Sequence, residues 1–290
     1  MSAGCHGRYV RFSTMTSAEV FRPEIPAEFE RYRDFLTSNC RRTTMLRLTG
    51  VAVEDTSVDT LTATASLTGS RIGGPALITK NHPWPTDKQG KKMMLLAQLN
   101  LAELPARPGY PTDGMLQFFH GDDDCYGFES GHHVRYIPAA ELAAGHLEGT
   151  LKNQTDALWG GYFEVHGQLF DQFPTSEDYE VEDLTLPAEL ATEETEDALY
   201  DVLGLNPTNT IFGGGWAYFT QGDPRTDLSE EAAAAGEEKY ELLLQVDTED
   251  SADSQVTIMF GDSGIANFFI KPSDLAALNF DNVLYTWDCC

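Results

Sequence analysis

The sequence predicts a β-rich α+β fold in which two pseudo-symmetric repeats of a mostly antiparallel sheet unit pack as one compact body. Three pairs of similar segments indicate the repeats, and they follow one another in the same order: Ile72–Pro75 with Phe212–Gly215, Met94–Asn100 with Glu241–Asp247, and Gly114–His120 with Gly264–Ile270. Ordered self-similarity of this kind is typical of a duplicated unit. An amphipathic helix before the first repeat completes the predicted architecture.

The repeats divide the chain into four predicted regions. Residues 1–70 form an N-terminal extension with a helix and the first strands, and residues 71–175 form repeat one. Residues 176–205 form an acidic connector, whose run of acids over 177–197 is typical of a solvated linker or helix face, and residues 206–290 form repeat two. Phe29, Tyr32, Phe35 and Leu36 recur at helical spacing after Pro26, which predicts a helix that packs on the sheet. Thr and Val alternate with other residues over 43–67, which predicts strands.

The composition excludes several classes of function. The formal net charge is −27, which disfavours nucleic acid and anionic membranes as partners and favours a basic protein. Solubility alone also explains such acidity. The chain lacks both the long apolar run of a membrane-spanning helix and the apolar core of a signal peptide. Five scattered Cys residues without a C-x-x-C pair fit a reducing compartment. We therefore expect a cytoplasmic protein, with a monomer favoured.

The two amide-bearing strands provide the first candidate site. Alternation places Leu96, Gln98 and Asn100 on one face of the first strand, and it places Gln245 and Asp247 together on one face of the second. A buried carboxamide without partners costs about 1–3 kcal/mol, so each must find one. In one interpretation the carboxamides pin strand register or a neighbouring turn. In the other they form a polar groove between the repeats.

Further polar residues extend this candidate set. The turn Gln221–Arg225 contains an acid and a base held by Pro224, which is typical either of a site or of a local surface ion pair. The candidate binding residues are Gln98, Asn100, Gln117, Gln221, Asp223, Arg225, Gln245, Asp247, Asp262 and Asn267.

Metal and cofactor chemistry has weaker support. His120, Asp122, Asp124 and His132 carry metal-capable side chains, but their spacing matches no recognised metal motif and the second half does not repeat it. A hydrated turn is the favoured interpretation, and we expect no metal. The chain also lacks a phosphate loop and a G-x-S-x-G nucleophile, so we expect no cofactor and assign no catalytic residue.

Several motifs together resemble the YwqG-like family. They are Ile72–Gly74, Pro83–Pro85, Leu95–Leu101, Gly114–Phe119, Gly213–Asp223, Leu242–Asp247, Gly261–Ile270 and the ending Asp274–Cys289. The resemblance covers roughly residues 70–290, whereas Gly160–Gln168 departs from the usual pattern. It implies a β-rich α+β domain of unknown function, frequent in bacteria, with no established catalytic residues. The genes of some family members look like neighbours of secreted-toxin loci. This association implies an immunity or partner-binding role.

Two functions are consistent with these observations. The first is a cytoplasmic, non-catalytic binding protein with a basic protein partner, of the toxin-immunity type. The alternative is a small-molecule-binding protein or hydrolytic enzyme with a polar cleft between the repeats. Whether the protein is an enzyme stays open, and the absence of catalytic motifs favours a non-enzyme.

Overall fold

The structure is a computed structural model that describes residues 19–53, 64–149, 157–191, 196–207, 210–226, 228, 237–251 and 255–289. The strands in these ranges are β1 (Arg41–Ala52), β2 (Arg71–Ile72), β3 (Ala76–Ile78), β4 (Met94–Asn100), β5 (Met115–His120), β6 (His132–Ile137), β7 (His146–Glu148), β8 (Leu158–Trp159), β9 (Gly161–Gln172), β10 (Ile211–Phe212), β11 (Glu241–Val246), β12 (Glu249–Ser251), β13 (Val256–Ile258), β14 (Ile265–Ile270) and β15 (Leu284–Asp288).

Short helices connect the strands. The α-helices span Arg33–Ser38, Ala139–Leu142, Glu196–Leu203 and Pro272–Ala276, and the 3-10 helices span Ala27–Tyr32, Leu101–Glu103, Tyr179–Asp183 and Ala188–Leu190. No helix in the described ranges combines the length and the apolar character needed to cross a membrane.

A ten-stranded antiparallel sheet dominates the fold. Its order is β15-β14-β11-β10-β1-β9-β2-β4-β5-β6. The long strands β1 and β9 lie at its centre and pair from Arg41 opposite Gln172 to Ala52 opposite Gly161. Strands β10, β11, β14 and β15 continue outward from β1, and β2, β4, β5 and β6 continue outward from β9. The predicted β-rich, mostly antiparallel fold is confirmed.

The sheet curls until its two sides meet around one apolar core. The rings of Phe118 on β5 and Phe268 on β14 lie 5.1 Å apart, edge to face. Near the sheet edges, His132 Nε2 donates to the carbonyl oxygen of Val283 at 2.7 Å. Leu99, Leu116, Leu244 and the two Phe residues belong to the same buried cluster. The sheet is therefore nearly closed, and the space between its two sides is filled with hydrocarbon.

The predicted N-terminal helix differs in form and in packing. The 3-10 helix Ala27–Tyr32 leads directly into the α-helix Arg33–Ser38, with Tyr32 at φ −101° and ψ 6° where they join. Its buried face contacts Leu190 and Leu203 of the connector together with Phe173, which follows β9. Of the strands expected over 43–67, β1 accounts for the first part, and residues 54–63 lie outside the described ranges.

The edge-to-face contact between Phe118 and Phe268 should stabilise the closed sheet. We expect Phe268→Ala to lower the free energy of unfolding by about 3–5 kcal/mol, because the cavity opens where both sides of the sheet meet. Phe128→Ala is the matched control, since the Phe128 side chain is 65% exposed, and it should change stability by no more than about 0.5 kcal/mol. Equal losses for both variants, measured by urea unfolding, would contradict this packing.

Candidate functional site

Two buried glutamines on neighbouring strands of the first half both bond Leu77, which lies on β3 outside the ten-stranded sheet. Gln98 and Gln117 lie opposite one another on β4 and β5. Gln98 Oε1 accepts hydrogen bonds from Leu77 N (2.8 Å) and from Gln117 Nε2 (2.8 Å). Gln117 Nε2 also donates to Leu77 O (2.9 Å), and Gln98 Nε2 donates to Gly69 O (3.1 Å). The carboxamides thus bond both polar groups of Leu77, as a neighbouring strand would.

The second half makes the same contact with different residues. Gln245 and Asn267 lie opposite one another on β11 and β14. Gln245 Oε1 accepts from Tyr218 N at 2.9 Å, and Asn267 Nδ2 donates to Tyr218 O at 3.0 Å. We call each arrangement a carboxamide clamp: Gln98 and Gln117 on Leu77, and Gln245 and Asn267 on Tyr218. Each clamp fastens a covering segment to the sheet.

The polar residues that follow the clamps also have local partners. Asn100 N donates to Ser70 Oγ (2.9 Å), and Asn100 Oδ1 accepts from Ala102 N (3.2 Å). In the second half, Asp247 N donates to Thr210 Oγ1 at 3.1 Å, and Asp247 Oδ1 accepts from Thr248 N at 2.8 Å. Both side chains therefore cap the turn after their strand.

A β-bulge in each amide strand corrects the predicted strand faces. The register shifts between Leu95 and Ala97 in β4, and it shifts between Leu242 and Leu244 in β11. A bulge inserts one extra residue and changes which side chains share a face. Leu96 therefore packs in the central core, although strict alternation placed it with Gln98.

The clamps lie on the face of the sheet opposite the central core. Ala97 and Leu99 face the central core, so Gln98 between them faces the opposite side of the sheet. There it is covered by the Leu77 segment, and Gln245 is covered by the Tyr218 segment. The clamps do not face one another across the space between the two sides, which Phe118 and Phe268 fill. These contacts favour the structural interpretation of the carboxamides over a shared groove.

The predicted turn Gln221–Arg225 contains a buried ion pair rather than an exposed one. Arg225 Nη2 lies 2.6 Å from Asp223 Oδ2 and 2.9 Å from Asp178 Oδ2, and all three side chains are buried. The guanidinium also lies over the rings of Tyr179 (4.8 Å) and Phe269 (4.4 Å). Burial alone would lower the pKa of Arg225, but the two carboxylates outweigh burial and raise it.

Asp178 is the partner that sequence reasoning missed. It lies in the connector, where the run of acids pointed to a solvated surface, yet its carboxylate accepts from Ala217 N at 2.8 Å. Asp223 Oδ2 in turn accepts from Tyr179 N at 3.2 Å. The ion pair therefore ties the connector to the covering segment of the second half. The outlying candidates Gln221 and Asp262 are exposed, and Gln221 Nε2 donates to Cys289 O at 2.7 Å.

The metal-capable residues of the first half do not converge. His120 and His132 lie opposite one another on β5 and β6. Asp122 instead forms an ion pair with Lys91 (2.7 Å), and Asp124 is exposed. Within the described ranges, no group of three or more His, Cys, Asp or Glu side chains is arranged to hold a metal ion. The geometry favours the hydrated-turn interpretation.

Asp123, between these candidates, organises the turn. Its carboxylate accepts hydrogen bonds from the backbone of Cys125, Gly127 and Ser130 and from the Ser130 hydroxyl. Burial alone would raise the pKa of Asp123, but these hydrogen bonds, with that of the Ser130 side chain the largest, lower it to about 2. The turn is therefore held by an ionised carboxylate.

Two cavities adjoin these elements. A cavity of about 140 Å³ is lined by Gln172, Tyr218 and Gln245, next to the second clamp. An open groove of about 610 Å³ lies beside the first half and is lined by Trp84, His133 and Arg135, among others. Sequence reasoning noted the Pro83–Pro85 stretch but missed Arg135, because a single Arg in a short strand carries no pattern.

The fold and these sites define a β-rich protein in which most of the predicted polar site residues help to hold the structure together. Residues 70–289 match the model of the family described as "Domain of unknown function (DUF1963)", so the chain belongs to that family. A search of curated proteins finds no match to the chain.

Replacing a carboxamide of the first clamp by an apolar side chain of similar volume should lower the stability of the fold. We expect Gln98→Met to lower the free energy of unfolding by about 3 kcal/mol, because Leu77 N–H and Gln117 Nε2 lose a buried acceptor. Gln89→Met is the matched control at an exposed turn and should change stability by less than about 0.5 kcal/mol. Urea unfolding measures both, and a Gln98→Met variant as stable as the control would show that the clamp contributes nothing.

The Asp123 turn predicts a dependence of stability on pH. The folded pKa of about 2 lies below the ordinary value of 3.8, so the stabilisation is present above pH 4 and is lost as pH falls toward 2. We expect wild type to be more stable than Asp123→Asn at pH 5, with the difference shrinking by pH 2.5. Chemical unfolding at both pH values checks this, and a difference that stays constant would contradict it.

Proposed function

We propose that this chain is a cytoplasmic, non-catalytic binding protein whose partner is a basic protein. The observation that carries the proposal is the exposed acidity of the connector. Glu182, Asp183, Glu189 and Asp197 are all exposed there, and the Asp183 side chain is 73% exposed. With a net charge of −27, such a surface attracts and orients a cationic partner.

Repulsion between neighbouring carboxylates adds to this attraction. Burial raises the pKa of Glu241, and the nearby carboxylate of Glu180 raises it further. Two cations offset part of the charge. Arg41 Nη1 lies 2.7 Å from Glu180 Oε2, and Lys239 Nζ lies 3.2 Å from Asp183 Oδ2. A cationic partner that contacts this surface would relieve the remaining repulsion, so binding and charge neutralisation would be coupled.

The use of the polar residues supports a non-catalytic role. The clamp residues Gln98, Gln117, Gln245 and Asn267 bond covering segments, and Asp223 and Arg225 bond one another. Catalysis needs side chains whose protons and lone pairs are available to a substrate. Residues committed to the fold in this way supply neither.

The matched clamps support the proposal that the two halves arose by duplication and are pseudo-symmetric. Beyond the clamps, Gly73 N donates to Leu96 O at 2.8 Å and Gly213 N donates to Leu243 O at 3.0 Å. Both glycines have positive φ, 70° and 82°. The ordered motifs further support placing the chain in the YwqG-like group within its family, where a toxin-immunity role is the specific form of the proposed binding function.

A second candidate function has one specific observation in its favour. Gln245 lines the cavity of about 140 Å³ together with Gln172 and Tyr218, so a polar side chain of the second clamp adjoins a space of small-molecule size. The alternative is therefore a small-molecule-binding protein or a hydrolytic enzyme, with its site at this cavity. Soaking crystals of the protein with a fragment library tests it, and an empty cavity across the library would remove its support.

Charge reversal of the connector tests the proposed binding function. We expect the triple variant Glu182→Lys, Asp183→Lys, Glu189→Lys to lose a basic partner that wild type captures from extracts of the native host. Association with the identified partner, measured by surface plasmon resonance, should slow about tenfold or more, because steering by the connector is reversed. Wild-type capture should weaken as salt rises.

A second triple variant distinguishes an effect of the connector surface from an effect of net charge. Asp124→Lys, Glu129→Lys, Asp262→Lys reverses three exposed turn carboxylates and changes the net charge by the same amount. It should retain the partner. Capture that is identical in wild type and in the connector variant would refute the proposal, and equal losses in both variants would reduce it to a non-specific effect of charge.

A further inference from the structure

The groove beside the first half combines apolar walls with basic side chains. Its walls are formed by the stretch from Asn81 to Lys88, by Met93 and by residues between Ser130 and Arg135, and its volume is about 610 Å³. Trp84 and Met93 supply apolar surface, and His133 and Arg135 supply nitrogen donors. Asp87 also lines the groove, but its Oδ1 accepts from the backbone of Gln89 (2.9 Å) and Lys91 (2.8 Å).

Among the residues that the structure describes, no carboxylate pairs with the buried cation Arg135. Its side chain lines the groove although the residue is only 8% exposed. Nε donates to Gln117 Oε1 at 2.8 Å, and Nη1 donates to the carbonyl oxygen of Pro83. Nη2 is shielded from solvent and has no hydrogen-bond partner within the described part of the chain. The guanidinium lies over the Phe119 ring at 5.1 Å, which leaves its charge only partly compensated.

The second half shows that the clamp does not need this arginine. Arg135 on β6 lies opposite Gln117, and the corresponding position on β15, opposite Asn267, is Thr286. Gln245 and Asn267 nevertheless bond Tyr218 as Gln98 and Gln117 bond Leu77. Bonding the carboxamides therefore does not by itself require an arginine at this position of β6. The second half also buries an arginine, Arg225 over Phe269, but two carboxylates pair with it.

The energetic cost of burying the Arg135 guanidinium also argues against a purely structural role. Burying a guanidinium without a carboxylate is costly, and burial lowers the pKa of Arg135 to about 10, so it stays charged at neutral pH. The chain contains 46 Asp and Glu residues, yet within the described ranges none forms an ion pair with Arg135. An unpaired cation in a cleft is typical of a binding site whose counter-charge arrives with the ligand.

We propose that this groove binds a small organic carboxylate, with Arg135 as the charged donor. A ligand carboxylate beside the Arg135 guanidinium would supply the missing counter-charge, and His133 lies in the same wall to bond one of its oxygens. The apolar body of the ligand would lie against Pro83, Trp84 and Met93. Inorganic phosphate fits less well, because the groove, although His82 and Lys88 also line it, has apolar walls that suit a ligand with a hydrocarbon body. The site is separate from the acidic connector and does not depend on it.

A titration with benzoate tests the assignment. The Arg135 Nε–H signal in ¹⁵N-labelled protein should shift saturably with sodium benzoate at constant ionic strength. Benzamide has the same shape without the charge, and it should produce no such shift. Arg135→Met should weaken benzoate binding, followed by calorimetry, tenfold or more, because a charge-assisted hydrogen bond is lost. Arg31→Met, at an exposed position, should bind as wild type does.

A second variant keeps the proposal testable if Arg135→Met does not fold. His133 is only partly buried, so His133→Gln should fold and should weaken benzoate binding several-fold. Benzoate affinity that is unchanged in both variants, or the absence of a saturable shift in wild type, would overturn the proposal. Saturable binding of inorganic phosphate in place of benzoate would overturn the carboxylate assignment.

Discussion

On each side of the sheet, two side-chain carboxamides take the place of a missing strand. Gln98 and Gln117 bond the N–H and C=O of Leu77, and Gln245 and Asn267 bond those of Tyr218. A buried peptide group without such partners would cost about 1–3 kcal/mol for each polar atom, so the covering segments can pack only where the carboxamides meet them. The clamps therefore decide which face of the sheet is covered and by which stretch of chain.

This constraint accounts for the separation of polar and apolar surfaces in the molecule. With the carboxamides on the covered faces, the other face is free to be apolar, and Phe118 meets Phe268 as the sheet curls. The buried pair of Arg225 with Asp178 extends the same principle, because it fastens the connector to the covering segment of the second half. The two binding surfaces that we propose, the acidic connector and the groove beside Arg135, lie outside the contacts of the clamps with Leu77 and Tyr218.

Local sequence patterns predicted the amide strands. Long-range contacts determine which side chains are buried and where the groove forms. Alternation placed Gln98 and Asn100 within one strand, and β4 ends at Asn100 as expected. The same alternation misplaced Leu96, because a bulge depends on the partner strand and not on the bulged sequence alone. Asp178 was assigned to a solvated acidic run, since its burial follows from Arg225, which is distant in the chain. Sequence patterns did not predict the groove beside Arg135, because residues of separate segments form it.

Amide hydrogen exchange at Leu77 and Tyr218 tests the clamps most directly. Each N–H donates to a buried glutamine side chain rather than to a strand, so it is protected only if the clamp is formed. Both amides should exchange with the free energy of global unfolding, as core strand amides do. Exchange of either amide at the rate of an exposed turn amide such as that of Lys88, with the core strands still protected, would contradict the account.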